Sequence, residues 1–141
     1  MSIDRAVAAL GLGLAAALCA VAVAAFAGRS EAPTVVELTI RYSRFEPATV
    51  RVAAGRPVTF VIRNADPIDH EWIVGDDAVH ARHRTGTEPE HGARPTEVSV
   101  GAGEERRTTV TFASPGSLAF ICHLPGHEAY GMVGRIEVAA P

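Results

Sequence analysis

Several features of common function classes are missing from this 141-residue chain. Aromatic residues make up only 6% of it, so the apolar core has to come mainly from Ala, Val, Ile and Leu. There is no Lys/Arg-rich run and the net charge is −3, which argues against nucleic-acid binding because that function usually needs a basic face. No phosphate-cradling Gly-Lys-Ser/Thr loop is present either. Hydrophobic residues nevertheless make up 48% of the chain, enough for a folded core.

An uncharged hydrophobic segment runs from Ala6 to Ala27. As a helix it would be roughly 33 Å long, enough to cross a bilayer. Its end, Ala25-Phe26-Ala27, fits the small-x-small pattern of a signal-peptidase site. Residues 1–27 are therefore either a cleaved signal peptide or an N-terminal membrane anchor, followed by a linker at 28–34. In both cases we expect residues 35–141 outside the cytoplasm, released or attached to the outer face of the cytoplasmic membrane.

Cysteine is scarce, with two residues in the whole chain. Cys19 lies in the hydrophobic segment, so Cys122 is the only thiol of the exported part. A lone cysteine in an oxidising compartment has no intramolecular disulfide partner. Cys122 is either a buried, inert thiol or a thiolate bound to a metal, and the residues around it in the sequence distinguish the two.

Short stretches of alternating or β-branched residues fill most of the exported part. They are separated by turn signals such as Asn64-Ala65-Asp66-Pro67 and Ser114-Pro115-Gly116. This pattern predicts an all-β fold, a two-sheet antiparallel sandwich. The predicted strands are residues 35–42, 45–52, 57–63, 70–74, 96–100, 106–112, 117–122 and 133–138.

Residues 75–95 form a polar, histidine-containing insertion that is too long for a simple connection. One interpretation is a solvated surface loop with a helical turn near residues 78–83, and the polar composition favours it. The other is a second metal site on His80, His83 and His91, since His-x2-His on a helical turn can chelate a metal.

The segment from Cys122 to Met132 carries the chemistry. It supplies a thiolate, an imidazole and a thioether at Cys122, His127 and Met132. Copper that cycles between Cu(I) and Cu(II) suits such a set, because soft sulfur stabilises the reduced ion and imidazole serves both. A second imidazole has to come from elsewhere, and His70 is the best candidate because it follows a turn and opens an apolar strand.

Several motifs together resemble the cupredoxin (plastocyanin/azurin/auracyanin) family of type 1 blue copper proteins over about residues 35–138. They are Phe45-x-Pro47, Ala54-Gly55-x-Pro57-Val58-Thr59-Phe60, His70, and Cys122-x4-His127-x4-Met132-x-Gly134. The resemblance implies a Greek-key β-sandwich that binds one copper ion and transfers single electrons. It also implies that His70, Cys122 and His127 are equatorial ligands and Met132 the axial one. Glu71 departs from the pattern, since many relatives have Asn there, although its backbone N–H could still reach the Cys122 sulfur.

The resulting hypothesis is an electron carrier rather than an enzyme, and we expect a monomer that docks redox partner proteins. The docking face would be an apolar patch beside His127, formed by Leu124, Pro125, Ala129 and Tyr130. His123 is interpreted as structural or surface, because strand alternation points it away from Cys122. Storage, delivery or resistance to copper, with the same four ligands, is the alternative. A dinuclear copper site is disfavoured because Gly126 stands where a second cysteine would be needed.

Overall fold

The computed structural model describes residues 33–86 and 91–141. The predicted leader at residues 1–27 lies outside these described residues, as does most of the predicted linker. The described residues form nine strands and one helix: β1 (Thr34–Arg41), β2 (Arg44–Glu46), β3 (Thr49–Ala53), β4 (Pro57–Asn64), β5 (His70–Gly75), α1 (Asp77–Thr85), β6 (Glu97–Val100), β7 (Glu105–Thr111), β8 (Gly116–Ile121) and β9 (Val133–Ala139). Within 33–86 and 91–141, no helix combines the length and apolar character that crossing a membrane requires.

The strands are arranged in two sheets, which confirms the predicted all-β sandwich. One sheet has the order β2-β1-β4-β7 and the other the order β3-β9-β8-β5-β6. Two of the pairings, β1 with β4 and β3 with β9, are parallel, whereas the other pairings are antiparallel. The alternation in the sequence predicts which face of a strand is buried but not the direction of its neighbour.

The core lies between the two sheets and is built from apolar side chains of both. Phe60 of β4 packs against Trp72 of β5, with ring centroids 4.7 Å apart. Phe45 and Phe120 make an edge-to-face contact at 5.0 Å. Trp72 is fully buried and packs in this core.

The predicted strand at residues 45–52 is two strands. β2 pairs with β1 in one sheet, whereas β3 pairs with β9 in the other. Pro47 has no backbone N–H and therefore cannot continue the ladder of a strand. The chain crosses from one sheet to the other at this proline.

The insertion at residues 75–95 was predicted mainly as a solvated loop, and for its histidines that prediction was wrong. It contains the nine-residue helix α1, longer than the single turn expected. Asp76 caps the helix by accepting a hydrogen bond from the Val79 N–H at 3.0 Å. The helix packs against β5, which buries His80, and the side chains of His83 and His91 are also only 5% and 4% exposed.

Candidate metal centre

The predicted ligands are brought together by neighbouring strand ends. His70 is the first residue of β5, and Cys122 directly follows the last residue of β8. Because β5 and β8 are antiparallel neighbours, the start of one and the end of the other lie at the same edge of the sheet. The loop after Cys122 returns to this edge, where the Cys122 N–H donates to the Met132 carbonyl oxygen at 3.2 Å.

Three donor atoms converge at this edge. The Cys122 Sγ lies 3.2 Å from His127 Nδ1, and His70 Nδ1 lies 3.2 Å from the same nitrogen. Met132 is fully buried in the same core cluster as Cys122. His70 and Cys122 are fully buried as well, whereas His127 is half-buried. The structure therefore groups the thiol and both imidazoles predicted from the sequence, with the thioether enclosed nearby in the core.

Two glycines allow the ligand loop to fold back on itself. Gly126 and Gly131 have φ angles of 85° and 86°, in the left-handed region that suits a residue without Cβ. The His127 N–H donates to the Leu124 carbonyl at 3.0 Å, and the Met132 N–H donates to the His127 carbonyl at 3.0 Å. These bonds fix the positions of His127 and Met132 relative to Cys122.

The imidazole of His70 is oriented by Asp66, a residue that the sequence analysis read only as part of a turn. His70 Nε2 lies 3.0 Å from Asp66 Oδ2. A carboxylate accepts hydrogen bonds, so Nε2 carries the proton and Nδ1 keeps its lone pair for the site. Burial acts to raise the pKa of Asp66, but hydrogen bonds from the Ser43 and Tyr42 N–H groups and from His70 outweigh it and hold the pKa below its usual value.

Glu71 joins the two loops that carry the predicted ligands. Its backbone N–H donates to Cys122 Sγ at 3.3 Å, as expected from the sequence. Its buried carboxylate accepts a hydrogen bond from the His123 N–H at 3.3 Å. A side chain at the position of the relatives' Asn therefore still ties the loops together, with a carboxylate in place of an amide.

The protonation of the site follows from its burial. Burial raises the pKa of the Cys122 thiol to about 11, despite hydrogen bonds from the Glu71 and Leu124 backbone that lower it. Burial also lowers the pKa of His127, and the nearby His70 lowers it further. In the metal-free protein the thiol is therefore protonated and the imidazole of His127 is neutral, so a metal that binds Cys122 has to displace a proton.

The predicted docking residues lie around His127. Pro125, Ala129 and Tyr130 are exposed, with 72% of Tyr130 accessible, whereas Leu124 is half-buried against the core. They form an apolar rim on the loop that carries His127.

A second group of histidines lies beside this loop, and the sequence analysis foresaw only three of its members. His80 and His83 come from α1, His91 from the segment after it, and His123 from the loop. His80 Nδ1 is 3.0 Å from His123 Nε2, the rings of His83 and His91 are 5.0 Å apart, and the rings of His83 and His123 stack at 5.6 Å. The interpretation of His123 as structural fits these contacts, and the one as a surface residue does not, since its side chain is 3% exposed.

Burial also controls the protonation of this group. It lowers the pKa of His80, and it lowers that of His123 to about 4, with Glu128 acting in the opposite direction. Both rings are therefore neutral near pH 7.

A profile of the family described as copper binding proteins, plastocyanin/azurin family, matches residues 34–139. The chain belongs to this family. The match covers every described strand. The thiol and two imidazoles at the sheet edge, with the Met132 thioether buried nearby, are the soft and borderline donors that suit copper. This member of the plastocyanin/azurin family therefore binds one copper ion.

Two relatives and one solved structure illustrate where the chain stands within the family. The copper-resistant cuproprotein CopI of Rubrivivax gelatinosus is 38% identical over 98 residues, 67% of this chain and 59% of that protein. CopI of Pseudomonas aeruginosa is 31% identical over 77% of this chain and 78% of that protein. The reduced auracyanin of Roseiflexus castenholzii has a TM-score of 0.65 at 24% identity, covering 77% of this chain and 98% of that one, which supports the fold.

Proposed function

We propose that His70, Cys122, His127 and Met132 hold the copper ion as a type 1 site and that the protein carries single electrons. The observation that carries this proposal is the convergence of one buried thiol and two imidazole Nδ1 atoms within 4.8 Å of one another. Copper supplies the one-electron change between Cu(I) and Cu(II). The protein residues supply a site that changes little during that step.

Limited rearrangement is expected because each donor is held by its own contacts. Asp66 positions His70, the Glu71 N–H contacts the Cys122 sulfur, and the turns of the ligand loop position His127. Burial removes most of the water whose reorientation would otherwise accompany a change of charge. Such a site suits a carrier, since little reorganisation then opposes electron transfer.

The route for electrons leads through His127. Its imidazole is half-buried, and the exposed Pro125, Ala129 and Tyr130 surround it on the same loop. A partner redox protein that covers this apolar rim would approach the one predicted ligand with an exposed edge. We therefore assign the docking role to this rim, and we place the protein outside the cytoplasm, where a hydrophobic leader such as residues 6–27 would direct it.

A redox titration of the full-length protein tests the proposal. After one equivalent of Cu(II) is added, we expect an intense visible band that ascorbate bleaches and ferricyanide restores, with the copper still bound. The band arises only when a thiolate is a direct ligand. Bound copper without that band would contradict the assignment of Cys122 to the site.

Copper resistance is a second candidate function, favoured by the names of the two CopI relatives. The same donors would serve it, but the protein would then release or exchange its copper rather than keep it. A Cu(I)-specific chelator separates the two functions. A carrier should retain its copper over repeated cycles of reduction, whereas a storage or delivery protein should lose it to the chelator when reduced.

Replacing Met132 by Leu should leave copper bound and raise the reduction potential. Leu keeps the buried volume but removes a weak axial donor, which stabilises Cu(II) more than Cu(I) in the native protein. The potential is measured by the same ascorbate and ferricyanide titration. Leu118→Met, the reverse exchange at a half-buried position on β8, should leave the potential unchanged. An unaltered potential in the Met132→Leu protein would mean that the thioether is not a ligand.

A further inference from the structure

We propose that His83, His91 and Glu97 form a second metal site, for a borderline divalent ion such as Cu²⁺ or Zn²⁺. The ligand atoms of these three residues all lie within 4.8 Å of one another. Their side chains are only 5%, 4% and 6% exposed. The site uses none of the four residues assigned to the type 1 copper, so it does not depend on that assignment.

The tautomer of His83 prepares it for a metal. Its Nδ1 lies 2.8 Å from the Val79 carbonyl oxygen, one turn earlier in α1. A carbonyl oxygen only accepts, so Nδ1 carries the proton and Nε2 keeps its lone pair. That Nε2 faces the Glu97 carboxylate, 3.8 Å from Oε2.

His91 is oriented in a similar way by Glu71. Its Nε2 lies 3.4 Å from Glu71 Oε1, while its Nδ1 lies 4.0 Å from Glu97 Oε2. A carboxylate behind a ligating imidazole is the common arrangement at metal sites, because it fixes the ring and raises the basicity of the other nitrogen. Glu71 would therefore orient His91 at the second site through its carboxylate, while its backbone N–H contacts the Cys122 sulfur.

Glu97 presents one carboxylate oxygen to the two imidazoles. Its Oε1 accepts hydrogen bonds from Arg82 at 2.7 Å and from Arg94 at 2.9 Å. Those two bonds orient the group and leave Oε2 towards His83 and His91. A buried carboxylate held in this way supplies the anionic ligand that a divalent ion requires.

The spacing of the three atoms suits a small ion. Ligand atoms about 2.0–2.2 Å from a tetrahedral metal stand roughly 3.3–3.6 Å apart. The two separations from Glu97 Oε2, 3.8 Å and 4.0 Å, exceed this range by a few tenths of an ångström, and all three ligand atoms lie within 4.8 Å of one another. Two imidazoles and one carboxylate favour Zn²⁺ or Cu²⁺ over harder ions, and Cu²⁺ should bind more tightly of the two.

Access to the site is provided by a cavity of about 490 Å³. Among its lining residues are His83 and His91, with Glu71, His123 and Leu124 from the side of the ligand loop. An ion can therefore reach the two imidazoles without unfolding of the sandwich, and solvent could complete its coordination.

The test adds a second metal to full-length protein that already holds one equivalent of copper. We expect wild-type protein to take up one equivalent of Zn²⁺, counted by elemental analysis after dialysis against a zinc-buffered solution. In a parallel arm, a second equivalent of Cu²⁺ should bind without strengthening the visible band, because it has nitrogen and oxygen ligands. The double variant His83→Gln/His91→Gln should lose this uptake, and Glu97→Gln should weaken it at least about 10-fold.

Control variants distinguish the loss of a metal ligand from the loss of the fold. His80→Gln, on the same helix but outside the ligand set, should bind zinc as the wild type does, and the far-ultraviolet circular dichroism recorded before zinc is added reports the fold of each variant. A wild-type protein that binds no metal beyond its first equivalent of copper would overturn the proposal. Unchanged zinc binding by the double variant would overturn it as well. Loss of zinc by a folded His80→Gln protein would overturn this ligand set. A missing visible band with zinc uptake intact would refute the type 1 assignment only.

Discussion

Replacing Cys122 by Ser should abolish the intense visible band of the copper-loaded protein. The band requires a thiolate bound to copper, and Ser supplies a hydroxyl that stays protonated and is a hard donor. The lost sulfur is also the softest donor of the four, so Cu(I) should be released more readily than Cu(II). We expect the affinity for Cu(I) to fall by more than about 100-fold, the upper end for loss of an outer-shell partner. The absorption spectrum and a competition with a Cu(I) chelator measure both effects.

Cys122→Ser replaces a single atom, so its effect on copper binding can be measured separately from any effect on folding. Cys122 is fully buried and its sulfur accepts the Glu71 N–H, a bond that a serine oxygen can also accept. The far-ultraviolet circular dichroism of the metal-free variant should therefore match the wild type. Ser117→Ala, on the exposed part of β8, serves as a control that should keep the band. A Cys122→Ser protein that still shows the band would remove Cys122 from the site.

The substitution Asp66→Ala should affect both stability and copper binding, because its carboxylate has two tasks. It accepts the N–H groups of Tyr42 and Ser43 at 2.7 Å and 2.8 Å, and it lies 3.0 Å from His70 Nε2. Tyr42 and Ser43 form the two-residue turn between β1 and β2, with φ angles of 53° and 52°. Hairpin turns of this kind usually carry Asn and Gly, since larger residues are strained at positive φ. The Asp66 carboxylate, which is distant in sequence, therefore stabilises a turn in which Tyr42 and Ser43 adopt an unfavourable positive φ.

We expect Asp66→Ala to lower the free energy of unfolding by about 2–4 kcal/mol, from the loss of hydrogen bonds to a charged group. Copper affinity should fall by about 10–100-fold, because His70 loses the partner that orients its ring. Chemical denaturation of the metal-free protein and copper competition measure these separately.

A second substitution distinguishes the two tasks. Adding Ser43→Gly to Asp66→Ala should restore about 1 kcal/mol, because glycine takes positive φ without steric conflict, but it should not restore copper affinity. Asp69→Ala is the matched control, since this exposed carboxylate of the same loop accepts the Ala102 N–H at 2.9 Å. Equal losses of stability in the Asp66 and Asp69 variants would contradict the role given to Asp66.

The strands and the ligand loop could be predicted because their signals are local. Alternation along a strand follows from the two-residue period of the backbone, and at the end of β7 Val110 and Phe112 are buried while Thr109 and Thr111 are exposed. Cys122, His127 and Met132 come from a single loop, so their spacing alone indicates a metal. The sequence does carry a signal of the break at Pro47, because the buried positions change phase there, from Phe45 to Val50 and Val52.

By itself, the sequence determined the fold class, the family and the loop that carries three of the four predicted copper ligands, since these depend on short-range pattern and spacing. The tertiary structure decided which distant groups orient and surround the site. Asp66 contacts residues 24 and 23 positions away, and the Glu71 N–H meets a sulfur 51 positions away. It also decided that a polar insertion buries its histidines, because polar side chains can leave water when they are paired with one another and with Glu97. Such pairings depend on where the chain folds, and no local pattern encodes them.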